Sequence, residues 1–175
     1  VLISSKDYLI AQLTGECVGD VAACSTAGAM NIRNGQWDAE LCEVAGIDMT
    51  ILPHLHNPQD NIGTVTESAA QRTGFSAGTA VYAGIGDAGA TTLASGVSHP
   101  GQYNINIGTS GWIATVSPEP FTDKPGAANL AFGVEEGFVN AVPFLNAGDV
   151  HKWVTGVFSD GDYAEAHQLI ETSKP

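Results

Sequence analysis

The sequence predicts an α/β chain whose character changes near residues 96–101. Three observations carry this reading. Capped, glycine-terminated helical segments alternate with loops in the first part. An apolar run, Ala80-Val-Tyr-Ala83, feeds the turn Gly84-Ile-Gly-Asp87 and then a helix of small residues. Beyond Pro100-Gly101, two strand-like runs flank the glycine-bounded bend Gly108-Thr-Ser-Gly111.

Taken in order, Ser4 or Ser5 caps a helix through Leu13, with Leu9, Ile10 and Leu13 as its apolar stripe and Thr14-Gly15 as its end. Asp20 caps a second, small-residue helix within 20–29. Asn34-Gly35 is a turn, and Asp38 opens a third helix that stops at Gly46. Residues 53–61 read as loop, 63–66 as a short strand, and Thr66-Glu67 as the start of a helix ending near Gly74. The run 80–83 reads as a buried strand and 88–95 as the helix after it. Strands are expected at 102–107, 112–116, 129–132 and 138–142, with helices at 149–158 and 162–172.

Composition narrows the function. Nineteen acidic residues against six basic ones give a net charge of −13, which repels nucleic acid and anionic membrane. The apolar runs are all shorter than a membrane span, and the N-terminus lacks the basic-then-apolar layout of a signal peptide. Three irregularly spaced cysteines, Cys17, Cys24 and Cys42, make neither a disulfide framework nor a thiolate zinc site, and fit a reducing, cytoplasmic setting. The chain opens abruptly on Val1-Leu2-Ile3 and stops on Glu171-Thr-Ser-Lys-Pro175, as an internal piece of a longer polypeptide would. Oligomeric state is open, a homodimer included.

Two glycine loops carry the chemistry. Gly84-Ile-Gly-Asp-Ala-Gly89 matches G-x-G-x-x-G, so an NAD-dependent oxidoreductase has to be weighed. The Asp87 carboxylate would repel a pyrophosphate there, and the acid expected about 20 residues on to hold the ribose is missing. Asp87 instead suits a catalytic carboxylate at a strand-to-helix junction, on the carboxyl edge of a sheet; the plainer alternative is a helix N-cap. Gly108, Thr109 and Ser110 offer backbone N–H groups and hydroxyls that can cradle phosphate oxygens, although the same residues also suit an ordinary hairpin tip. The two bends are expected to converge on one crevice. The chain has neither a P-loop nor an esterase elbow.

An ordered series extends the argument: Ser5-Lys-Asp-Tyr-Leu9, Leu13-Thr-Gly-Glu16, Gly35-Gln-Trp-Asp38, Gly46-Ile-Asp48, Leu52-Pro53, Ile62-Gly-Thr-Val-Thr66, Gly74, Gly84-Ile-Gly-Asp87, Gly96-Val97, Pro100-Gly101 and Ile107-Gly-Thr-Ser-Gly111. Together with Asn146-Ala-Gly148 and Trp153, this series resembles the FGGY family of carbohydrate kinases, its xylulokinase-like and gluconokinase-like members in particular. The resemblance implies an actin-like ATPase (ribonuclease H-like) fold, present in part. Residues 1–97 would close the sugar-side N-domain and 98–175 open the nucleotide-side C-domain. It implies phosphorylation of a sugar hydroxyl by ATP with Mg²⁺, the sugar being a ketopentose such as xylulose. Asp87 would be the general base, and the bend at Gly108 and Thr109 would meet the ATP phosphates, with Ser110 beside them. Mg²⁺ would bridge the phosphates and meet Asp87 through water. The family's first phosphate loop and its later adenosine motif are missing from the series, so these 175 residues alone are expected to be inactive. A non-catalytic, kinase-like module is the remaining alternative.

One stretch departs from the family's pattern. Members often carry Thr-Asp-Tyr-Ser-x-Ala-Ser where this chain has Gly19-Asp-Val-Ala-Ala-Cys-Ser25, which leaves the sugar open. Asp20 is a candidate for the substrate side, with helix capping as its other reading. Lys6 and Asp7 read either as part of a substrate edge or as a surface ion pair opening a helix. His54 and His56 fall in the expected loop with no acid to complete a metal set, and Trp37, Trp112 and Trp153 read as packing residues.

Overall fold

A computed structural model describes residues 1–173; Lys174 and Pro175 lie outside the described residues. Local capping chemistry sets most of the helices. Helix α1 (Ser5–Thr14) begins where Ser4 Oγ accepts the Asp7 amide and ends at left-handed Gly15. After strand β1 (Val18–Asp20), Asp20 caps the four-residue helix α2 (Val21–Cys24), which runs into a 3-10 turn, Ser25–Ala27. Asn34-Gly35 turns a small hairpin of β2 (Met30–Asn31) and β3 (Gln36–Trp37). Helix α3 (Ala39–Ala45) is capped by Asp38 and closed by Gly46.

The span expected as loop contains strand β4 (His54–His56), which pairs in parallel with β1: Val18 with His54, Asp20 with His56. The imidazole of His56 lies 3.5 Å from Asp60, so an acid does stand beside it. Strand β5 (Asn61–Thr64) leads through Thr66 into α4 (Glu67–Thr73), and pairs antiparallel with β6 (Ala80–Tyr82). The expected buried strand at 80–83 is thus one half of a two-stranded ribbon, and of its residues only Ala83 is buried. Helix α5 (Asp87–Ala94) follows. Among the described residues Asp87 therefore follows a two-stranded ribbon and not a larger sheet, and the turn that carries it packs against α2 and the main core.

The second part is an antiparallel sheet ordered β7-β8-β10-β9, from β7 (Tyr103–Ile107), β8 (Gly111–Ser117), β9 (Ala128–Ala131) and β10 (Phe138–Phe144). On β7 only Asn104 is buried, between exposed Tyr103 and Ile105. Pro143 is tolerated in a central strand because β9 has already ended, its last pair being Ala128 with Ala141. Val97, Ala114, Val116, Leu130, Phe132 and Val139 form the main core, against which Ile85, Ala88 and Leu93 pack from α5 and the turn before it. The chain closes with α6 (Gly148–Phe158) and α7 (Tyr163–Thr172).

The two parts are stitched together at α2 and β9. Ser25 Oγ accepts the Ala131 amide at 2.9 Å, and Val21, Met30 and Ala131 form a second apolar cluster. Trp37 packs on this cluster and Trp112 on the main core, but Trp153 is 66% exposed and packs into neither.

Candidate active site

Helix α1 presents an unexpected face to the interior. Ile10 is buried as its periodicity requires, but Leu9 is 63% exposed and the other buried residue is Asp7. Asp7 is held by Ser4, whose hydroxyl donates to its Oδ2 at 2.8 Å, and by Lys6, whose ammonium donates to its Oδ1 at 2.5 Å. The same Lys6 Nζ lies 3.1 Å from Asp20 Oδ2 and donates to the Ala83 carbonyl at 2.7 Å. One half-buried cation thus faces two buried carboxylates and the end of β6. Burial alone would lower the Lys6 pKa, but the Asp7 hydrogen bond and the nearby Asp20 charge override it and hold it above the ordinary value.

Asp20 is completely buried. Its Oδ1 accepts the Ala23 amide at 2.9 Å, and its Oδ2 forms the ion pair with Lys6 without an aligned hydrogen bond. Of its two readings, capping is the one this geometry shows, with the carboxylate buried inside the chain.

Asp87 is different. The residue in the N-cap position is Gly86, with no side-chain cap, so Asp87 is the first residue of α5 and not its cap. Its carboxylate is exposed and accepts from the adjacent Ala88 amide at 2.8 Å. It borders two adjoining cavities. One, of about 170 Å³, is lined with Ser4, Ala23, Thr26 and Gly89; the other, of about 530 Å³, with Ser4, Ser5, Lys6 and Ile85.

The glycine spacing around Asp87 follows from packing. Gly84 has a left-handed φ of +68°. A Cβ on Gly86 would stand 3.0 Å from Ala23 Cβ and 3.2 Å from its Cα, and one on Gly89 would collide with the Ile85 side chain. All three glycines are thereby explained without a dinucleotide.

The second loop forms the tip of the β7–β8 hairpin, with Gly108, Thr109 and Ser110 all exposed. Its shape is fixed from behind. Gly108 N–H donates to Ser110 O at 2.7 Å, while the amides of Ala147 and Gly148 donate to Thr109 O and Gly108 O at 3.0 and 2.8 Å. The loop carbonyls are thus turned toward the start of α6, and neither the Thr109 nor the Ser110 hydroxyl is engaged within the described residues. The role of Gly148 was missed in the sequence, where Asn146-Ala-Gly148 marked only the start of a helix.

The loop lines neither cavity at Asp87. The two bends are linked through the core: Ile85 and Ala88, which flank Asp87, and Trp112, two residues past the loop, pack against the same apolar cluster. An apolar groove of about 400 Å³ between α6 and α7 carries no carboxylate.

With this geometry in place, the comparisons decide the family. The pattern of the FGGY family of carbohydrate kinases, N-terminal domain, matches residues 1–94. The chain belongs to the FGGY family of carbohydrate kinases. It is 28% identical over 167 residues to a gluconokinase of Bacillus subtilis, covering 95% of this chain and 33% of that protein. It is 36% identical over 167 residues to an autoinducer-2 kinase of Yersinia enterocolitica, covering 94% and 31% respectively. A ligand-bound xylulose kinase from Lactobacillus acidophilus superposes with a TM-score of 0.87 at 24% identity, over 98% of this chain and 35% of that one. This FGGY chain therefore has the actin-like ATPase fold in part, and spans about a third of the length of the curated relatives it matches.

Proposed function

We propose that this chain is the portion of an ATP-dependent sugar kinase that carries the catalytic base and one phosphate-holding loop. Residues 1–97 would complete the sugar-side domain and residues 98–175 begin the nucleotide-side domain. The observation that carries the reading is the Asp87 carboxylate, exposed at the start of α5 beside two cavities and bonded to a single neighbouring amide.

Asp87 would accept the proton of the sugar hydroxyl as its oxygen attacks phosphorus; a base need only reach that proton within hydrogen-bond distance. ATP would supply the phosphoryl group, and Mg²⁺ would neutralise the charge that develops. The free hydroxyls of Thr109 and Ser110 suit phosphate oxygens, and an exposed Asp87 suits a phosphate-bound Mg²⁺ met through water. Holding the acceptor and phosphate groups in line is the larger part of the work in such transfers.

The relatives are named for gluconate, autoinducer-2 and xylulose, so the class is a small polyhydroxylated acceptor. Within it we favour a neutral ketopentose such as xylulose. Asp87 is the carboxylate bordering both cavities, and the one cation lining the larger of them, Lys6, is already paired with Asp7 and Asp20, which disfavours an anionic aldonate. A cytoplasmic setting is part of the same reading, supported by three unpaired cysteines.

The test is an ADP-release assay of the intact gene product against ketoses, polyols and aldonates, with calorimetry of ATP–Mg²⁺ and NAD. ATP-dependent turnover of a neutral sugar supports the proposal; tight NAD binding without ATP binding ends it.

A further inference from the structure

We infer that Lys6 is a positioning residue for the candidate base, clamping the turn that carries Asp87 onto α1 and α2. The inference rests on the reading of Asp87 as the base, but its physical content is separate from that reading.

The turn from Ala83 to Asp87 is gripped at both ends. At its start, Lys6 Nζ donates to the Ala83 carbonyl at 2.7 Å, and the Lys6 stem runs beneath Gly84, 3.9 Å from where a Cβ would stand. At its end, Gly86 lies flat on α2, close enough to Ala23 that a Cβ would need to displace it. Ala23 is itself fixed by Asp20, the carboxylate that caps α2 through the Ala23 amide and pairs with Lys6. Lys6 therefore holds the beginning of the turn directly and its end through Asp20 and α2. Asp7, buried and bonded to Ser4, holds the ammonium from the other side.

The arrangement is costly unless it does something. Two buried carboxylates and one half-buried ammonium must give up hydration, and such groups seldom stabilise a fold more than apolar residues of the same volume would. What the cluster provides is direction. Among the described residues Asp87 has no side-chain partner to aim it, its one hydrogen bond there coming from the next amide in the chain. Its orientation is thus inherited from the turn, and displacing a reacting group by about 1 Å can cost on the order of 100-fold in rate. Lys6 lines the same 530 Å³ cavity as Asp87, but its ammonium is already committed to Asp7, Asp20 and Ala83. This makes it a support, not a ligand.

The test uses the intact gene product carrying Lys6→Met, Lys6→Arg, or Lys6→Met with Asp20→Asn. The double variant returns the cluster to its wild-type net charge while keeping an acceptor for the Ala23 amide, and so separates loss of the clamp from the extra buried negative charge that Lys6→Met alone leaves. Amide hydrogen exchange over residues 84–88 is the readout that does not depend on activity. In both Met variants it should rise at least about tenfold relative to the β7–β10 sheet, with Lys6→Arg nearer wild type. In the kinase assay, kcat should fall at least about tenfold while KM for ATP stays within about threefold, the split expected when only the transition state is affected. Unchanged exchange at 84–88 in the double variant overturns the inference, whether or not the protein proves to be a kinase. Looser exchange with unchanged kcat also overturns it. If wild-type protein shows no kinase activity but the exchange behaves as expected, the clamp stands and the reading of Asp87 falls.

Discussion

The amide of Gly148 donates to the carbonyl of Gly108 at 2.8 Å, and a Cβ at position 148 would stand only 2.6 Å from that carbonyl oxygen. The start of α6 and the tip of the β7–β8 hairpin are thus in backbone contact, and glycine at 148 is what allows it.

Gly148→Ala should therefore destabilise the chain by about 1–3 kcal/mol, the usual cost of forcing a methyl group into a filled space. Urea denaturation measures it. In the intact enzyme the same change should raise KM for ATP by displacing the loop at 108–110. A variant as stable as the parent would mean the contact is looser than described.

Asp20→Ala should cost about 1–2 kcal/mol, since it removes the α2 cap and leaves Lys6 with Asp7 alone. Asp20→Asn keeps an acceptor for the Ala23 amide and should recover roughly 1 kcal/mol of that loss. Equal losses for the two variants, measured by denaturant midpoint, would contradict a capping role.

Alkaline pH should erode stability. Burial, reinforced by the charges of Asp7 and Asp20, pushes the Cys24 thiol from its ordinary 9.0 up to about 12. Lys6 is also raised above 10.5, because Asp7 and Asp20 outweigh its burial. Both groups hold their protons more tightly folded than unfolded. The stability they contribute is complete below these ordinary values and is lost as pH climbs through the folded ones. Thermal midpoints should decline from about pH 9 upward, and a flat profile to about pH 11 would contradict this.

Thiol labelling should be selective. Cys17 is exposed, Cys42 is fully buried, and Cys24 is protonated far above neutrality. Iodoacetamide at about pH 8 should give one adduct, on Cys17, in native protein and three after unfolding. Early modification of Cys24 would count against its burial beside Asp7 and Asp20.

What could be read from the sequence was what neighbouring residues decide. Caps at Ser4, Asp20, Asp38 and Thr66 were legible because a side-chain oxygen and an amide three residues on make the whole interaction. The hairpin around 108–110 was legible from its alternation and its glycines. Strand β4 was not, because three residues extend only when Val18–Asp20 lies alongside, 36 positions away in sequence by the Val18–His54 pairing. The inward turn of Asp7, with Leu9 exposed, ran against hydrophobic patterning, since Asp20 and the Ala83 carbonyl, which complete the cluster around Lys6, lie outside the local window. The backing of Gly108 by Gly148 is hidden for the same reason: contact distance, not spacing, makes it.

The central claim is that Asp87 removes the proton from the acceptor hydroxyl. Asp87→Asn keeps the size and the Ala88 hydrogen bond but removes the basic oxygen, so single-turnover phosphoryl transfer by the intact enzyme is the most direct measurement. The account predicts that the chemical step slows by at least about 100-fold, with ATP affinity within a few-fold of wild type. A chemical step within about threefold of wild type would contradict it.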